Sequence, residues 1–285
     1  MGIATESIST LDDFGNLQVV QAILKGNQNI HAHLDWRNPI EWLNQPPSFL
    51  LHAGARLDGI LSLAPDPAHL HWVRFFAFRE GLDFSFVWKQ LFPFILEHYP
   101  FTKQDTIIAL CYQHWMETML ASTGWKKAHK IIVLTWEGSY PKIKSNDPRI
   151  TIRKMNPDDL QQVIRIDDIC FSDFWKFSGT TLTLAYEQSS YATIAKIEEE
   201  IVGFQISTAD LYRAHLTRLA VLPPYRSQGI GTRLVQNMLA HFSVPWIKQV
   251  TVNTQHDNQA SIHLYQQAGF AYKGEFFPIY QYPLP

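Results

Sequence analysis

Apolar positions along this chain fall into short alternating runs and longer helical stripes, and the pattern is clearest in its second half. Ile150–Arg153 reads as a short strand. Asn156 or Asp158 can cap a helix that runs on through Leu160, Val163, Ile164 and Ile166. A stretch rich in Trp and Phe follows, then a helix near Leu182–Glu187. Strands are predicted at Tyr191–Ile197, Ile201–Ser207, His215–Val221 and Gln249–Thr254. Before the last of these, Ile230, Leu234, Val235, Met238, Leu239 and Phe242 recur at helical spacing and form one buried stripe. Strands that precede and surround helices imply a mixed sheet covered by helices, an α+β fold.

The pattern breaks at Gly138–Pro148, where Gly, Ser, Asn and two prolines interrupt it on both sides. Domains are therefore expected over residues 1–138 and 149–285, with 139–148 as the linker. The halves also resemble each other. Pairing Phe75-Phe76-Ala77-Phe78 with Arg218-Leu219-Ala220-Val221 gives an offset of 143 (Ala77 to Ala220) and sets Leu91 opposite Leu234. Gly124-Trp125-Lys126 pairs with Gly269-Phe270-Ala271 at an offset of 145 (Gly124 to Gly269), so a duplicated domain is expected.

Composition narrows the function classes. Of 285 residues 46% are apolar and only 18% charged, which fits a packed globular protein. The formal net charge of −2 offers no field for phosphate backbones or anionic lipid, so neither nucleic acid nor membrane is expected as a partner. Two cysteines, Cys111 and Cys170, stand far apart, which argues against a disulfide framework or a Cys-based zinc site. The opening Met-Gly-Ile-Ala-Thr-Glu has neither a signal-peptide order nor a myristoylation pattern, and no run approaches the roughly 18 apolar residues of a membrane span. A cytoplasmic location is expected.

The most informative segment is Leu219-Ala220-Val221-Leu222-Pro223-Pro224-Tyr225-Arg226-Ser227-Gln228-Gly229-Ile230-Gly231-Thr232. An apolar strand ends at Val221, a Pro-Pro turn follows, and two glycines open the long helix. The first N–H groups of a helix lack intrahelical partners, and the helix dipole favours negative charge there. Glycines at 229 and 231 let a diphosphate approach that backbone, with Arg226 beside it. A bare strand-to-helix turn would use the same glycines. A Walker loop is excluded, because Lys and Ser/Thr do not follow the last glycine; a dinucleotide fingerprint is excluded by Leu234.

The remaining pattern, Arg-x-x-Gly-x-Gly after an apolar strand, resembles the acetyl-CoA motif of the GNAT acetyltransferases. A second segment, Asn258-Gln259-Ala260-Ser261-Ile262-His263-Leu264-Tyr265-Gln266-Gln267-Ala268-Gly269-Phe270, resembles that family's Asn-x-x-Ala-x-x-Leu-Tyr-x-x-x-Gly-Phe pattern. Asn258 and Tyr265, seven residues apart, share a helix face. The resemblance implies two GNAT-like acyl-CoA N-acyltransferase domains in tandem, and acetyl-CoA as co-substrate without a metal. It implies that Gln228, Gly229, Ile230, Gly231 and Thr232 hold the diphosphate with Arg226. It further implies that Leu219 and Val221 border the pantetheine arm, that Asn258 touches the cofactor, and that Tyr265 protonates the departing thiolate. Alternation places His215, Thr217, Leu219 and Val221 on one strand face. Many family members carry a Glu or His at the place of His215 as the base, and the arylalkylamine acetyltransferases add a second histidine where this chain has Thr217. His215 is thus the candidate base, with a satisfied sheet histidine as the alternative.

At the 143-residue offset, Gly229, Gly231 and Arg226 fall opposite Phe86, Trp88 and Asp83, and at 145 Tyr265 falls opposite Leu120. The first half is therefore expected to be a degenerate, non-catalytic copy. His31-x-His33 and His69-x-His71 each place two imidazoles on one strand face, without a carboxylate or cysteine in a ligand pattern, and are expected to face solvent. The acceptor pocket is expected around Cys170–Trp175 and Phe276–Tyr280, suited to an amine of a small molecule or a peptide N-terminus. A non-catalytic acyl-CoA-binding regulatory protein, with the first half docking a partner, is the alternative.

Overall fold

The computed structural model describes residues 6–10, 30–138 and 147–284; the opening residues and most of the expected linker lie outside them. The chain forms two compact units, Met1–Ala128 with Pro278–Pro285, and His129–Phe277. These bounds depart from those expected. The first division falls at Ala128/His129 rather than near residue 139, and the last residues belong to the first unit. Both divisions lie inside strands, which no break in apolar pattern marks.

The first unit contains β1 (Glu6–Ser9), β2 (Ile30–Ala32), α1 (Pro39–Leu43), β3 (Ser48–Ala53) and β4 (Arg56–Ser62). Then come β5 (Leu70–Trp72), β6 (Phe75–Phe78), α2 (Phe84–His98), β7 (Thr106–Leu110), α3 (His114–Ser122) and the first residues of β8 (Lys126–Trp136). One antiparallel sheet has the order β1-β3-β4-β6-β2. β5 runs parallel to β7, whose other edge pairs with Ile279–Tyr282. The α2 side chains Val87, Trp88, Leu91, Phe92 and Ile95 fill a core with Phe76, Phe78, Trp125 and Tyr280. Only glycine at 59 permits this packing, since a Cβ there would collide with Val87.

The second unit holds the rest of β8, β9 (Ile150–Lys154), α4 (Leu160–Cys170), α5 (Gly179–Glu187), β10 (Tyr191–Ile197), β11 (Glu200–Ala209) and β12 (Arg213–Val221). It continues with α6 (Ile230–Phe242), β13 (Gln249–Gln255), α7 (Gln259–Gln267) and the start of β14 (Ala271–Tyr282). Its strands lie in the order β8-β13-β12-β11-β10-β9, with β12 and β13 parallel and the other pairs antiparallel. The expected stripe of α6 is fully buried against this sheet.

The repeat seen in the sequence recurs in the ladders. Leu70, His71 and Trp72 pair with Thr106, Ile107 and Ile108; Arg213, Ala214 and His215 pair with Gln249, Val250 and Thr251. Every residue of the second set stands 143 positions after its counterpart in the first.

Candidate active site

β12 and β13 run side by side only from Arg213–Leu216 and Gln249–Val252, and then separate. That separation leaves the last five residues of β12, Thr217 to Val221, without a strand neighbour on one edge. A bulge occurs at the same place: Ile206 pairs with Arg218 and Ser207 with Leu216, so Thr217 has no partner across the ladder. An extra residue exchanges the faces of everything beyond it. Leu216, paired with Ser207, therefore shares a face with Leu219, paired with Gln205. His215, paired with Thr208, shares one with Arg218 and Ala220. The expected face of His215, Thr217, Leu219 and Val221 is corrected accordingly.

A cleft of about 600 Å³ opens at the free end of β12. Of the residues singled out by motif, Leu219, Val221, Arg226, Gly229, Ile230, Gly231, Thr232 and Asn258 line it. Gly229 is the N-cap of α6 with φ of 80°, a left-handed conformation that disfavours any side chain, and no side chain caps the helix. The N–H groups of the first turn are thus open toward an anion. Gly231 answers a second demand, because a Cβ there would lie 3.2 Å from Leu264 of α7. Arg226 donates from Nε to the Val221 carbonyl at 3.1 Å. Gln228 is not among the lining residues; its amide donates to the Pro224 carbonyl at 3.1 Å and ties the turn.

Asn258 caps α7, accepting from the Ser261 N–H at 3.1 Å, while its amide donates to Gln255 at 3.2 Å. Its place in the cleft is fixed by capping. Tyr265 is buried beside Phe270 and does not line the cleft. Burial raises its phenol well above the ordinary value, opposed only by the charge of Arg218.

His215 lines a different cavity of about 370 Å³, with Thr208, Asp210, Arg213 and Thr251. Its Nδ1 lies 2.8 Å from Thr251 Oγ1, and in the tautomer that donates there Nε2 keeps its lone pair. Desolvation lowers its pKa to about 4, so the ring is neutral near pH 7. Beside it on the strand face, Arg218 makes a bidentate pair with Asp167 of α4 at 2.6 and 2.7 Å. Its guanidinium is held between the rings of Phe171 and Phe177. Asp167 also accepts from the Phe177 N–H at 3.0 Å, so one carboxylate fixes both the strand and the loop after α4.

Residues 160–270 match the sequence profile of the Acetyltransferase (GNAT) family. The second unit carries a GNAT domain. Its relatives include N-alpha-acetyltransferase 30 of Schizosaccharomyces pombe, 26% identical over 30% of this chain and 60% of that protein. An N-alpha-acetyltransferase of Sulfurisphaera tokodaii is 26% identical over 42% of this chain and 78% of its own. The chain thus spans less than two thirds of the first relative. A tandem GNAT protein from the clavulanic acid biosynthesis pathway aligns over 97% of this chain and 98% of its own, at a TM-score of 0.63 and 13% identity. That likeness is one of fold: two GNAT folds in tandem.

The GNAT fold of the first unit lacks an open helix start. Asp83 is the N-cap of α2, and its carboxylate accepts from the Ser85 N–H at 3.0 Å. Trp88, opposite Gly231, is buried in the core, and Leu120, opposite Tyr265, is buried too. The histidine pairs depart from expectation. His31 and His71 are buried, and Asp105 Oδ1 lies 3.1 Å from both His69 Nδ1 and His71 Nε2. Among the described residues no group of three or more His, Cys, Asp or Glu side chains could hold a metal.

Within the expected acceptor segments, Cys170, Phe171, Ser172 and Trp175 do line the GNAT cleft. Pro278, Ile279 and Tyr280 do not, since they belong to the first unit, where Tyr280 is core. Gln255, Asp257, Ser261 and His263 also line the cleft and were not singled out beforehand. The N-capping Asn258 was the available signal, because a helix that starts at the cleft brings its first turn with it.

Proposed function

We propose that the second unit transfers the acetyl group of acetyl-CoA to a primary amine, on a peptide N-terminus or a small molecule. The uncapped start of α6 inside the cleft carries this reading. Its N–H groups and the adjoining Arg226 suit a diphosphate, and the unpaired edge of Leu219–Val221 suits an amide-bearing arm laid along it. Acetyl-CoA, when bound, supplies the acetyl thioester that an amine attacks.

The residues of this chain handle two protons. An amine must lose one before it can attack, and a departing thiolate must gain one. Tyr265, whose burial keeps the phenol protonated at neutral pH, is assigned as the donor to that sulfur anion. His215, neutral at physiological pH, is the acceptor for the amine proton. The N-alpha-acetyltransferase relatives favour the α-amino group of a peptide as acceptor. The first unit, whose helix start is already capped, is assigned a non-catalytic role.

The test is thiol release from acetyl-CoA by the full chain with a panel of peptides, polyamines and small amines, and mass spectrometry of the products. Turnover with an acetylated amine supports the reading. CoA binding without release on any acceptor would make the protein an acyl-CoA-binding module instead.

A further inference from the structure

Thr217 is the residue that the β11–β12 ladder leaves over, and its hydroxyl is a feature of the second unit that the fold does not explain. Its Oγ1 is buried and has no hydrogen-bond partner. A hydroxyl can donate one hydrogen bond and accept two, so leaving it dry and unmatched is costly. Valine would occupy the same volume, suit a strand equally well and carry no such cost. A polar group kept in that condition points to a partner that comes and goes.

The position says what that partner is. Thr217 follows Leu216, the last residue of β12 paired with β13, so it stands where the two strands part. Two residues later Leu219 begins the lining of the large cleft; two residues earlier His215 lines the smaller cavity. The bulge puts Leu219 and His215 on opposite faces of the sheet. Thr217 is thus the midpoint between a cleft suited to the acyl donor and a cavity that holds the candidate base.

Resting on the acetyltransferase reading above, we propose that the Thr217 hydroxyl accepts a hydrogen bond from the acceptor amine at the gap between β12 and β13. A primary amine that donates one N–H to Oγ1 keeps its lone pair free and its direction fixed. The hydroxyl neither gives nor takes a proton, and no bond forms to it. Thr217 is a positioning residue.

Thr217→Val and Thr217→Ser separate this role from a structural one. For Thr217→Val we expect kcat/KM for the amine to fall about tenfold or more. The KM for acetyl-CoA should hold and the melting temperature should hold or rise, since only an unmatched hydroxyl is removed. Thr217→Ser, which keeps the hydroxyl, should restore the amine kcat/KM to within about threefold of wild type. Undiminished wild-type turnover in Thr217→Val overturns this inference alone, as does a parallel loss of acetyl-CoA affinity or of melting temperature. A wild-type chain that releases no CoA with any amine overturns the functional reading and this inference together.

Discussion

The two units share a ladder register, yet they treat the start of the same helix in opposite ways. In the first unit the Asp83 carboxylate accepts from an N–H of the opening turn of α2, and aromatic side chains from that helix pack the core beneath. In the second, Gly229 opens α6 in a left-handed conformation with no side chain to cap it, and the helix end faces a cleft of about 600 Å³. A capped helix start is self-sufficient; an uncapped one costs stability until an anion arrives. The scaffold alone therefore does not make a binding site. Four or five residues at one turn decide whether the site exists.

Both units also bury an arginine paired with an aspartate, and that similarity offers the strongest way to break the comparison. Arg74 pairs with Asp35 at 2.6 Å in the first unit, and Arg218 pairs with Asp167 in the second. Removing one partner of a buried pair strands the other charge. Asp167→Ala should destabilise the protein by about 3–5 kcal/mol and lower acetyl transfer, whereas Asp35→Ala should destabilise comparably and leave CoA affinity intact. Denaturant unfolding with parallel CoA titration checks both. Loss of CoA affinity from Asp35→Ala would undo the claim that the first unit's pair serves only its own fold.

A smaller effect is expected where Tyr265 stands opposite Leu120. Tyr265→Phe removes the proton and keeps the ring, so kcat should fall by roughly ten- to a thousandfold while CoA affinity is unchanged. Steady-state kinetics with calorimetry would show it, and an unaltered kcat across pH would clear Tyr265 of the acid role. Smaller still is the effect of His215, opposite Trp72. Its pKa is lowered to about 4, so the neutral ring persists at higher pH and protonates only as pH falls through that value. Activity should then decline on the acid side near pH 4 rather than near the ordinary histidine value, and His215→Gln should abolish that limb. A limb that survives the substitution assigns the base elsewhere.

Much of this was legible in the residues. Leu234, Val235 and Met238 mark α6 by spacing, and the offset of 143 between Ala77 and Ala220 recurs residue by residue in the parallel ladders. The cleft residues Gly229, Gly231 and Asn258 were found by motif because each meets a backbone demand that few side chains tolerate. What escaped is what alternation cannot encode. Thr217 looks like any strand residue, and nothing in its neighbours announces that the ladder skips it. Ile279 and Tyr280 have the apolar character of a strand in either unit, so their place against β7 is set by packing alone. Asp105 lies 34 residues from His71, and only the fold brings them within 3.1 Å.

The account's central claim is that one helix start of this chain is open to a diphosphate and the other is closed. Calorimetric titration of the full chain with CoA tests it most directly, repeated with Gly229→Asp, which gives α6 the acidic cap that α2 already has. We predict one CoA bound per chain, and an affinity about a hundredfold weaker, near 2.7 kcal/mol, in the variant. Two sites per chain, none, or an affinity indifferent to Gly229→Asp would contradict it.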